Sequence, residues 1–441
     1  EFINRAGQTT VFSCGNNKIF TGTTTLVEVT LPAGYTITDN NWKVMSFNND
    51  VYFYQSGHQP LESVAGSTTL VGLTSTGGNS APQGNEVLAA FGRVWTCDLA
   101  GNKYTVYWSS LLAGDDWHGG SSGSVDLTTV WPTGFDEVVS LAEHNGFLII
   151  FGKKSIIIYT GAESPSSDLK LHDTIEGVGC VARDSVQSTG SDLFFLSSRG
   201  VMSLGRVVQE KSLPLNDISK NVRSDLLQTL AQETHANGHR EAIKSIYSPI
   251  DAFYLITFPD SSLVYCFDLR QALENGAYRA TTWTAIKPIS FSIFADDRLY
   301  MGHDEGIVEY GSYLDGTTKY QMRYFSNPLD FGNASNLKFL KKFNVTIIGG
   351  QNTESTLNWG YDYTSSYTKQ ALTFGSASAA EYGVTEYNTT GEYTASVVIQ
   401  TPKVNTSGNG EVVTIGIETE VNDSPFSIQK IDIHALLGRL I

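Results

Sequence analysis

The sequence has no long apolar run, few cysteines and few basic residues, and each shortage excludes a class of protein. No stretch reaches the roughly 18 to 20 apolar residues that a membrane-spanning helix needs. Lysine and arginine number 29 against 45 aspartates and glutamates, so the net charge of −16 excludes a basic nucleic-acid binder. Four cysteines in 441 residues, without a Cys-x-x-Cys pair, exclude a disulfide scaffold and the usual zinc and redox sites. We expect four buried thiols, at Cys14, Cys97, Cys180 and Cys266.

What the chain has in quantity is aromatic residues, with 7 Trp, 21 Tyr and 22 Phe. Together with β-branched residues they form short runs separated by turns of Gly, Asn, Asp or Ser, a pattern typical of β-hairpins. Seven such hairpins start at Asn16, Asn48, Phe91, Asn145, Ser191, Asp251 and Asp296. Their starts are about 32 to 60 residues apart, a range that includes the ~40 to 50 residues of one four-stranded propeller blade.

Each hairpin buries only one face, so repeats of this size are stable when they are arranged radially around an axis. The sequence therefore predicts an all-β fold with a β-propeller over residues 1–313. Because the spacing is uneven and widest between residues 191 and 251, six blades are favoured and seven are the alternative. A β-sandwich is the second structural interpretation.

One segment between the fifth and sixth hairpins departs from the β pattern. Its apolar side chains recur every four residues, at Ile218, Val222, Leu226 and Leu230. This rhythm places one apolar stripe on a helix. We predict an inserted helix over about 216–232, capped by Asn216 or Asp217, which serves packing rather than chemistry.

After Tyr313 the strands become longer and lie further apart, which predicts a separate β-sandwich-like domain over residues 314–441. Within that domain, residues 364–392 are rich in Ser, Thr, Gly, Ala and Tyr. We expect them to form a long flexible excursion that faces solvent or a partner subunit.

Two segments resemble ligand-binding motifs but lack the context that the motifs require. Gly177–Ala182 reads GVGCVA and fits the G-x-G-x-x-A dinucleotide pattern, yet a turn and a strand follow it where a helix is needed. His235 and His239 have helical i, i+4 spacing, but no His-Glu-x-x-His motif accompanies them and Gly238 lies between them. We therefore expect neither a nucleotide site nor a metal site there.

A third segment contains the pair Asp115 and Asp116 followed by Trp117 and His118, which could supply acid and base catalysis on a sugar. Adjacent carboxylates point apart on an extended strand, and an aspartate-capped turn with Trp117 as a packing anchor explains them equally well. The chain also has no G-x-S-x-G elbow and no repeated sialidase box. The sequence predicts no catalytic, cofactor-binding or metal-binding residue and no small-molecule substrate, so we do not expect an enzyme.

Four stretches carry a resemblance to a known family. They are AFGRVWTCDLAGNKYTVYWSSLLAGDDW (Ala90–Trp117), the two hairpins of Leu141–Gly205, TTWTAIKPISFSIFADDRLYMGHDEGIVEYGSYLDG (Thr281–Gly316) and the terminal SIQKIDIHALLGRLI (Ser427–Ile441). Together they resemble the propeller-type tail proteins of short-tailed, podovirus-type bacteriophages, known as nozzle, hub, stabilisation or tail tubular proteins. The opening Asn4–Phe12 resembles the point where such proteins begin their first blade, after a short N-terminal segment.

The resemblance implies a virion protein that forms a homohexameric ring of propellers in the tail, assembled in the host bacterial cytoplasm. Such a ring extends the channel in which the genome is held and from which it is ejected. The implied partners are other copies of the chain, tail adaptor and tail fibre proteins, and viral DNA in transient, non-specific passage. No catalytic residues come with the resemblance.

The acidic composition agrees with that role, because Lys and Arg contacts to phosphates add affinity and therefore friction to passing DNA. We hypothesise that acidic residues face the lumen of the ring, among them Asp115, Asp116, Glu233, Asp304 and Glu305. Two other functions stay open: a receptor- or glycan-binding propeller of a tail fibre, and a polysaccharide-degrading enzyme.

Overall fold

The computed structural model describes residues 1–75, 80–131, 134–210, 217–233, 242–303, 306–333, 335–349, 353–372 and 399–440. The chain divides into two compact units, Glu1–Tyr310 and Gly311–Ile441. The boundary predicted from the sequence lies three residues further along, after Tyr313. Helices in these ranges all fall short of the length and apolar content that crossing a membrane requires.

The described part of the first unit contains seven successive antiparallel sheets, which we call blades 1 to 7. A short hairpin of β1 (Phe2–Ile3) and β2 (Thr9–Thr10) precedes them. Blade 1 consists of β3 (Phe12–Gly15), β4 (Lys18–Thr21) and β5 (Val27–Glu28). Blade 2 consists of β6 (Lys43–Phe47), β7 (Asp50–Tyr54), β8 (Leu61–Val64) and β9 (Val71–Gly72). Blade 3 consists of β10 (Glu86–Ala90), β11 (Arg93–Cys97), β12 (Thr105–Trp108) and β13 (Gly123–Asp126).

The remaining four blades follow in chain order. Blade 4 consists of β14 (Val138–His144), β15 (Phe147–Gly152), β16 (Ser155–Thr160) and β17 (Lys170–Glu176). Blade 5 consists of β18 (Gln187–Ser188), β19 (Leu193–Ser197) and β20 (Gly200–Ser203). Blade 6 consists of β21 (Lys244–Ser248), β22 (Phe253–Phe258), β23 (Leu263–Asp268) and β24 (Arg279–Trp283). Blade 7 consists of β25 (Ser290–Ile293), β26 (Leu299–His303) and β27 (Gly306–Glu309).

In every blade each strand pairs with the next strand along the chain, the up-and-down order of a β-propeller. The all-β propeller predicted from the sequence is therefore confirmed. The seven sheets among the described residues select the seven-blade alternative over the six blades that uneven hairpin spacing favours. The widest spacing, between blades 5 and 6, reflects helices inserted at that point rather than a missing blade.

Short two-residue turns join the first and second strands of blades 1 to 4. They are Asn16–Asn17, Asn48–Asn49, Phe91–Gly92 and Asn145–Gly146. All eight residues have φ between +49° and +81°. Asparagine and glycine tolerate this left-handed backbone, and turns of this kind match the twist of the paired strands. The Asn-rich and Gly-rich turns seen in the sequence therefore set the repeat.

Aromatic rings fill the space between neighbouring blades. Phe12 of blade 1 meets Phe53 of blade 2 with ring centroids 5.2 Å apart. Phe151 of blade 4 meets Phe195 of blade 5 at 4.9 Å, and both rings are fully buried. Edge-on and tilted ring pairs add to the stability that burial of the ring surfaces supplies.

The helical segments are α1 (Pro165–Asp168) in blade 4 and α2 (Leu204–Glu210), a 3₁₀ turn (Lys220–Val222) and α3 (Arg223–Gln232) after blade 5. The inserted helix thus begins at Lys220, later than the predicted start near residue 216. Asp217 does not cap it, because its carboxylate accepts the Ser219 hydroxyl at 3.1 Å and pairs with Arg223. The predicted stripe is buried at Ile218, Leu226 and Leu230, against side chains of blades 5 and 6.

The second unit is a β-sandwich, as predicted. One sheet has the spatial order β28 (Tyr320–Phe325), β35 (Val413–Val421), β30 (Glu354–Tyr361), β31 (Thr368–Leu372). In the other sheet β29 (Asn336–Gly349) pairs with β36 (Phe426–Leu440) on one side and with β32 (Ile399–Gln400), β33 (Lys403–Asn405) and β34 (Asn409–Gly410) on the other. Phe343, Trp359 and Ile415 belong to the shared core between the sheets.

The flexible excursion predicted for residues 364–392 needs a correction. Strand β31 lies inside that range and pairs along its whole length with β30. Leu372 at the end of this strand is buried in the core of the sandwich, whereas the four residues before it are exposed. Residues 373–392 lie outside the described part of the chain.

Candidate functional site

A cluster of charged side chains lies where the first strands of blades 2 to 6 converge. Lys43 is in β6, Glu86 in β10 and Lys244 in β21, while Arg183 and Asp184 come just before β18. Lys43 Nζ, from blade 2, donates to Asp184 Oδ1 at the entry to blade 5 over 2.8 Å. Side chains from blades three positions apart meet only across the middle of a propeller. We call these five residues the axial cluster.

Asp184 is the common acceptor of the axial cluster. Its Oδ2 accepts hydrogen bonds from Lys244 Nζ at 2.5 Å and from Arg183 Nη2 at 2.7 Å. Burial would raise the pKa of Asp184, but Arg183, Lys244 and Lys43 together hold that pKa well below its usual value. Asp184 therefore stays ionised, and its charge is shared among three cations.

Arg183 connects this acceptor to blades 2 and 3. Its guanidinium is 2% exposed, and Nη1 donates to the backbone oxygen of Asn85 at 2.6 Å and to Asn85 Oδ1 at 2.8 Å. Nη2 donates to Asn41 Oδ1 at 3.0 Å, and Lys244 Nζ reaches the same oxygen at 2.7 Å. The fixed planar donors of arginine thus meet acceptors that belong to three different blades.

Glu86 is held loosely by comparison. Its carboxylate lies 3.4 Å from Ser140 Oγ and 3.5 Å from the Leu141 backbone nitrogen, both in blade 4. Lys43 Nζ and Arg183 Nε are 3.6 and 3.8 Å away. Burial raises the pKa of Glu86 to about 7, against the opposing attraction of Lys43 and Arg183. The axial cluster therefore contains a carboxyl that exchanges its proton near neutral pH.

The sequence predicts none of the axial cluster, because each member is a lone charge beside an ordinary strand. A positional signal does exist. Lys43, Glu86 and Lys244 all lie in the first strand of their blades, and Asn41 and Asn85 lie just before two of those strands. An alignment of the seven repeats on their hairpins reveals this shared position.

The segment Asp115–His118 forms the aspartate-capped turn, with Trp117 as its packing anchor, that the sequence offers as the alternative to a catalytic pair. Asp116 accepts the Ser110 hydroxyl at 2.8 Å and the Gly119 backbone N–H at 2.9 Å, and Trp117 is 6% exposed. The Ser110 hydrogen bond is the largest of the influences that lower the pKa of Asp116. An aspartate with a lowered pKa is a poor proton donor at neutral pH, whereas Asp115 beside it is exposed.

The segment Gly177–Ala182 crosses over the turn between β15 and β16. The Cys180 backbone N–H donates to Gly152 O at 2.8 Å, and a Cβ on Gly179 would lie 2.4 Å from that same oxygen. The next element is strand β18 and not a helix. The glycines therefore allow two backbones to approach closely, and no helix N-terminus is present to bind a pyrophosphate.

The remaining histidine and acidic candidates from the sequence have different outcomes. His235, His239, Asp304 and Glu305 lie outside the described residues. The prediction that Glu233 faces a lumen is wrong, because this side chain is 5% exposed and accepts the backbone N–H groups of Asp260 at 3.2 Å and Ser261 at 2.9 Å. Within the described ranges, no group of three or more His, Cys, Asp or Glu side chains is arranged to hold a metal ion.

All four cysteines are free thiols, but only two of them are fully buried. Cys97 and Cys180 are buried, whereas Cys14 and Cys266 are partly buried, which corrects the prediction of four buried thiols. Burial raises the pKa of Cys180 to about 11 and those of Cys14 and Cys266 to about 12. Since the thiolate is the reactive form, none of these three is activated as a nucleophile at neutral pH.

No family model matches the chain, and no curated protein matches it either. Solved structures that resemble it include a protein from Lactobacillus plantarum, at 12% identity and a TM-score of 0.40, covering 68% of this chain and 94% of that one. A chain of a mitotic checkpoint complex has 9% identity, a TM-score of 0.43 and coverages of 68% and 82%. YCF48 bound to a D1 peptide has 9% identity, a TM-score of 0.39 and coverages of 70% and 89%.

Proposed function

We propose that the chain is a structural subunit of a bacteriophage tail, a nozzle or hub protein whose homohexameric ring extends the DNA channel. The ring retains the packaged genome and lets it pass during ejection. Each copy contributes shape, symmetry and surface charge rather than catalysis.

The observation that carries the proposal is the occupied axis of the first unit. The axial cluster places Lys43 and Asp184 in contact at 2.8 Å, at the position where a propeller with an open channel or an axial ligand has free space. Its charges are paired with one another and with backbone and amide oxygens from neighbouring blades. This arrangement favours a rigid building block, and DNA then passes between copies instead of through one.

The distribution of the sequence resemblance supports the same proposal. Ala90–Trp117 contains β11 and β12 of blade 3, Thr281–Gly316 contains the whole of blade 7, and Ser427–Ile441 contains most of β36. These segments belong to both units of the chain, so the resemblance concerns the whole architecture rather than one blade.

The net charge gives the proposed channel its low affinity for DNA. At −16 per copy, a ring of six copies carries 6 × −16 = −96 charges. Among the acids proposed to face the lumen, Asp115 is exposed and stays a candidate, whereas Asp116 is engaged in its turn and Glu233 is excluded by its burial. Repulsion of phosphates releases no counterions and leaves DNA free to slide.

The test is the mass of the purified protein, measured alone and with its tail adaptor at several salt concentrations. Six copies of 48.1 kDa give about 289 kDa. Because like charges repel across any contact between copies, added salt is expected to preserve or favour the ring. A species that stays at 48.1 kDa in every condition, with the adaptor present, contradicts the proposal.

A further inference from the structure

A groove in the first unit is separate from the axial cluster. It has a volume of about 530 Å³, within the ~300 to 1,000 Å³ range of small-molecule sites. Residues 80–83 before β10, residues 99–101 in the turn after β11, and the outer strands of blade 3 with the connection between them form its walls. Its polar and aromatic lining side chains are Ser80, Gln83, Tyr107, Trp117, His118 and Ser124.

No Asp, Glu, Lys or Arg lines this groove in the described part of the chain. Phosphate and carboxylate ligands are bound by cationic side chains or by a helix N-terminus, and a metal ion takes several imidazole, carboxylate or thiolate ligands, whereas the described lining offers a single imidazole. The lining instead combines hydroxyl, amide and imidazole groups with aromatic rings and the small residues Ala81, Ala100 and Gly101. This chemistry selects an uncharged ligand that carries many hydrogen-bonding groups.

Several of the lining groups are fixed in place and still have capacity for a ligand. The His118 ring is held by a 3.1 Å hydrogen bond between Nδ1 and Ser75 Oγ, which leaves Nε2 available. The Tyr107 hydroxyl accepts a hydrogen bond from Asn102 Nδ2 at 3.3 Å, and its own proton stays available for donation to a ligand. Trp117 is 6% exposed, and its indole N–H has no acceptor among the described residues. A buried donor of this kind is costly to leave without an acceptor.

We propose that this groove binds a short neutral oligosaccharide. A sugar presents hydroxyl groups that both donate and accept, which suits the side chains of Gln83, His118 and the two serines. Its C–H faces suit aromatic surfaces such as those of Tyr107 and Trp117. The volume accommodates a short oligosaccharide rather than a single ring. This activity goes beyond the structural role, since it belongs to one copy and does not depend on assembly.

The test is binding of the full chain to a set of neutral and acidic oligosaccharides of bacterial surface polysaccharides, measured by saturation-transfer NMR and by titration. The double variant Gln83→Ala/His118→Ala removes two polar groups, one from a partly exposed position and one from an exposed position. Its matched control is Gln429→Ala/His434→Ala, which removes the same groups from exposed positions in the second unit. Circular dichroism and the Tm establish that both variants are folded.

Wild type and control are expected to bind at least one neutral oligosaccharide, and the groove variant to bind it about tenfold more weakly, the loss expected for two hydrogen bonds. Binding to acidic sugars alone overturns the proposal, because the lining offers no cation to pair with them. Equal affinity of the groove variant and the control also overturns it, as does the absence of any glycan binding by the wild type. The mass of the ring is independent of all these outcomes, so failure here leaves the structural role standing.

Discussion

Replacing Glu86 with glutamine is expected to change how the stability of the first unit depends on pH. The folded chain raises the pKa of this carboxyl to about 7 from its usual 4.5. The folded state therefore holds the proton more tightly than the unfolded state does. The stabilisation is complete below pH 4.5 and is lost as the pH rises through about 7. Glutamine mimics the protonated carboxyl and does not titrate.

The two pKa values set the size of the effect. At 1.36 kcal/mol for each tenfold change in proton affinity, the full pH-dependent contribution is about 3 kcal/mol, and most of it falls between pH 5 and pH 8. The free energy of unfolding of Glu86→Gln, minus that of the wild type, is therefore expected to increase by about 2 to 3 kcal/mol over this range. Titrating groups that do not interact with Glu86 are common to both proteins and cancel in the difference.

The assay is urea denaturation at several pH values, followed by tryptophan fluorescence. Six of the seven tryptophans lie before Tyr310, so the signal reports mainly on the first unit. Glu163→Gln, which makes the same substitution at an exposed carboxyl in blade 4, is the matched control. A Glu86→Gln difference that stays constant or decreases with pH refutes the account of the axial cluster.

Three further substitutions test the packing around the same framework. Asp184→Asn leaves three cations facing one carboxylate, and urea denaturation is expected to show a loss of about 3 to 5 kcal/mol; a loss below about 1 kcal/mol argues against an ionised acceptor at the axis. Gly179→Ala places a Cβ 2.4 Å from Gly152 O and is expected to cost about 1 to 3 kcal/mol, seen as a lower Tm, whereas an unchanged Tm shows that the two backbones are not close. Leu226→Ala removes a fully buried side chain from α3 and is expected to cost about 2 to 5 kcal/mol in the same denaturation assay, and a neutral effect contradicts its burial against blades 5 and 6.

Local features of the fold are predictable from the sequence because they depend on residues close together in the chain. The Asn and Gly turns between paired strands fix the hairpins, and the stripe from Ile218 to Leu230 reveals the inserted helix. The start of that helix is less predictable, since Asp217 has a partner in Arg223 that competes with capping. The blade count requires knowledge that a helical insertion, and not a lost blade, separates hairpins 191 and 251.

Neither the axial cluster nor the groove can be predicted from the sequence, and the physical reason is the same for both. Lys43 and Asp184 are 141 residues apart and meet only when the repeats close around an axis. Likewise Gln83, Tyr107 and His118 line one groove only after two separate connections and strand β12 are placed. The turn at Asp115–His118 attracts attention as a pair of acids, yet the side chains that line the groove are its tryptophan and histidine.

Electron cryomicroscopy of the assembled protein with its tail adaptor can show directly whether copies form a ring with the DNA channel between them. We expect six copies around a central channel, with density for the axial cluster filling the middle of every propeller. A single copy with a continuous opening along its own propeller axis, or particles without rotational symmetry, would contradict it.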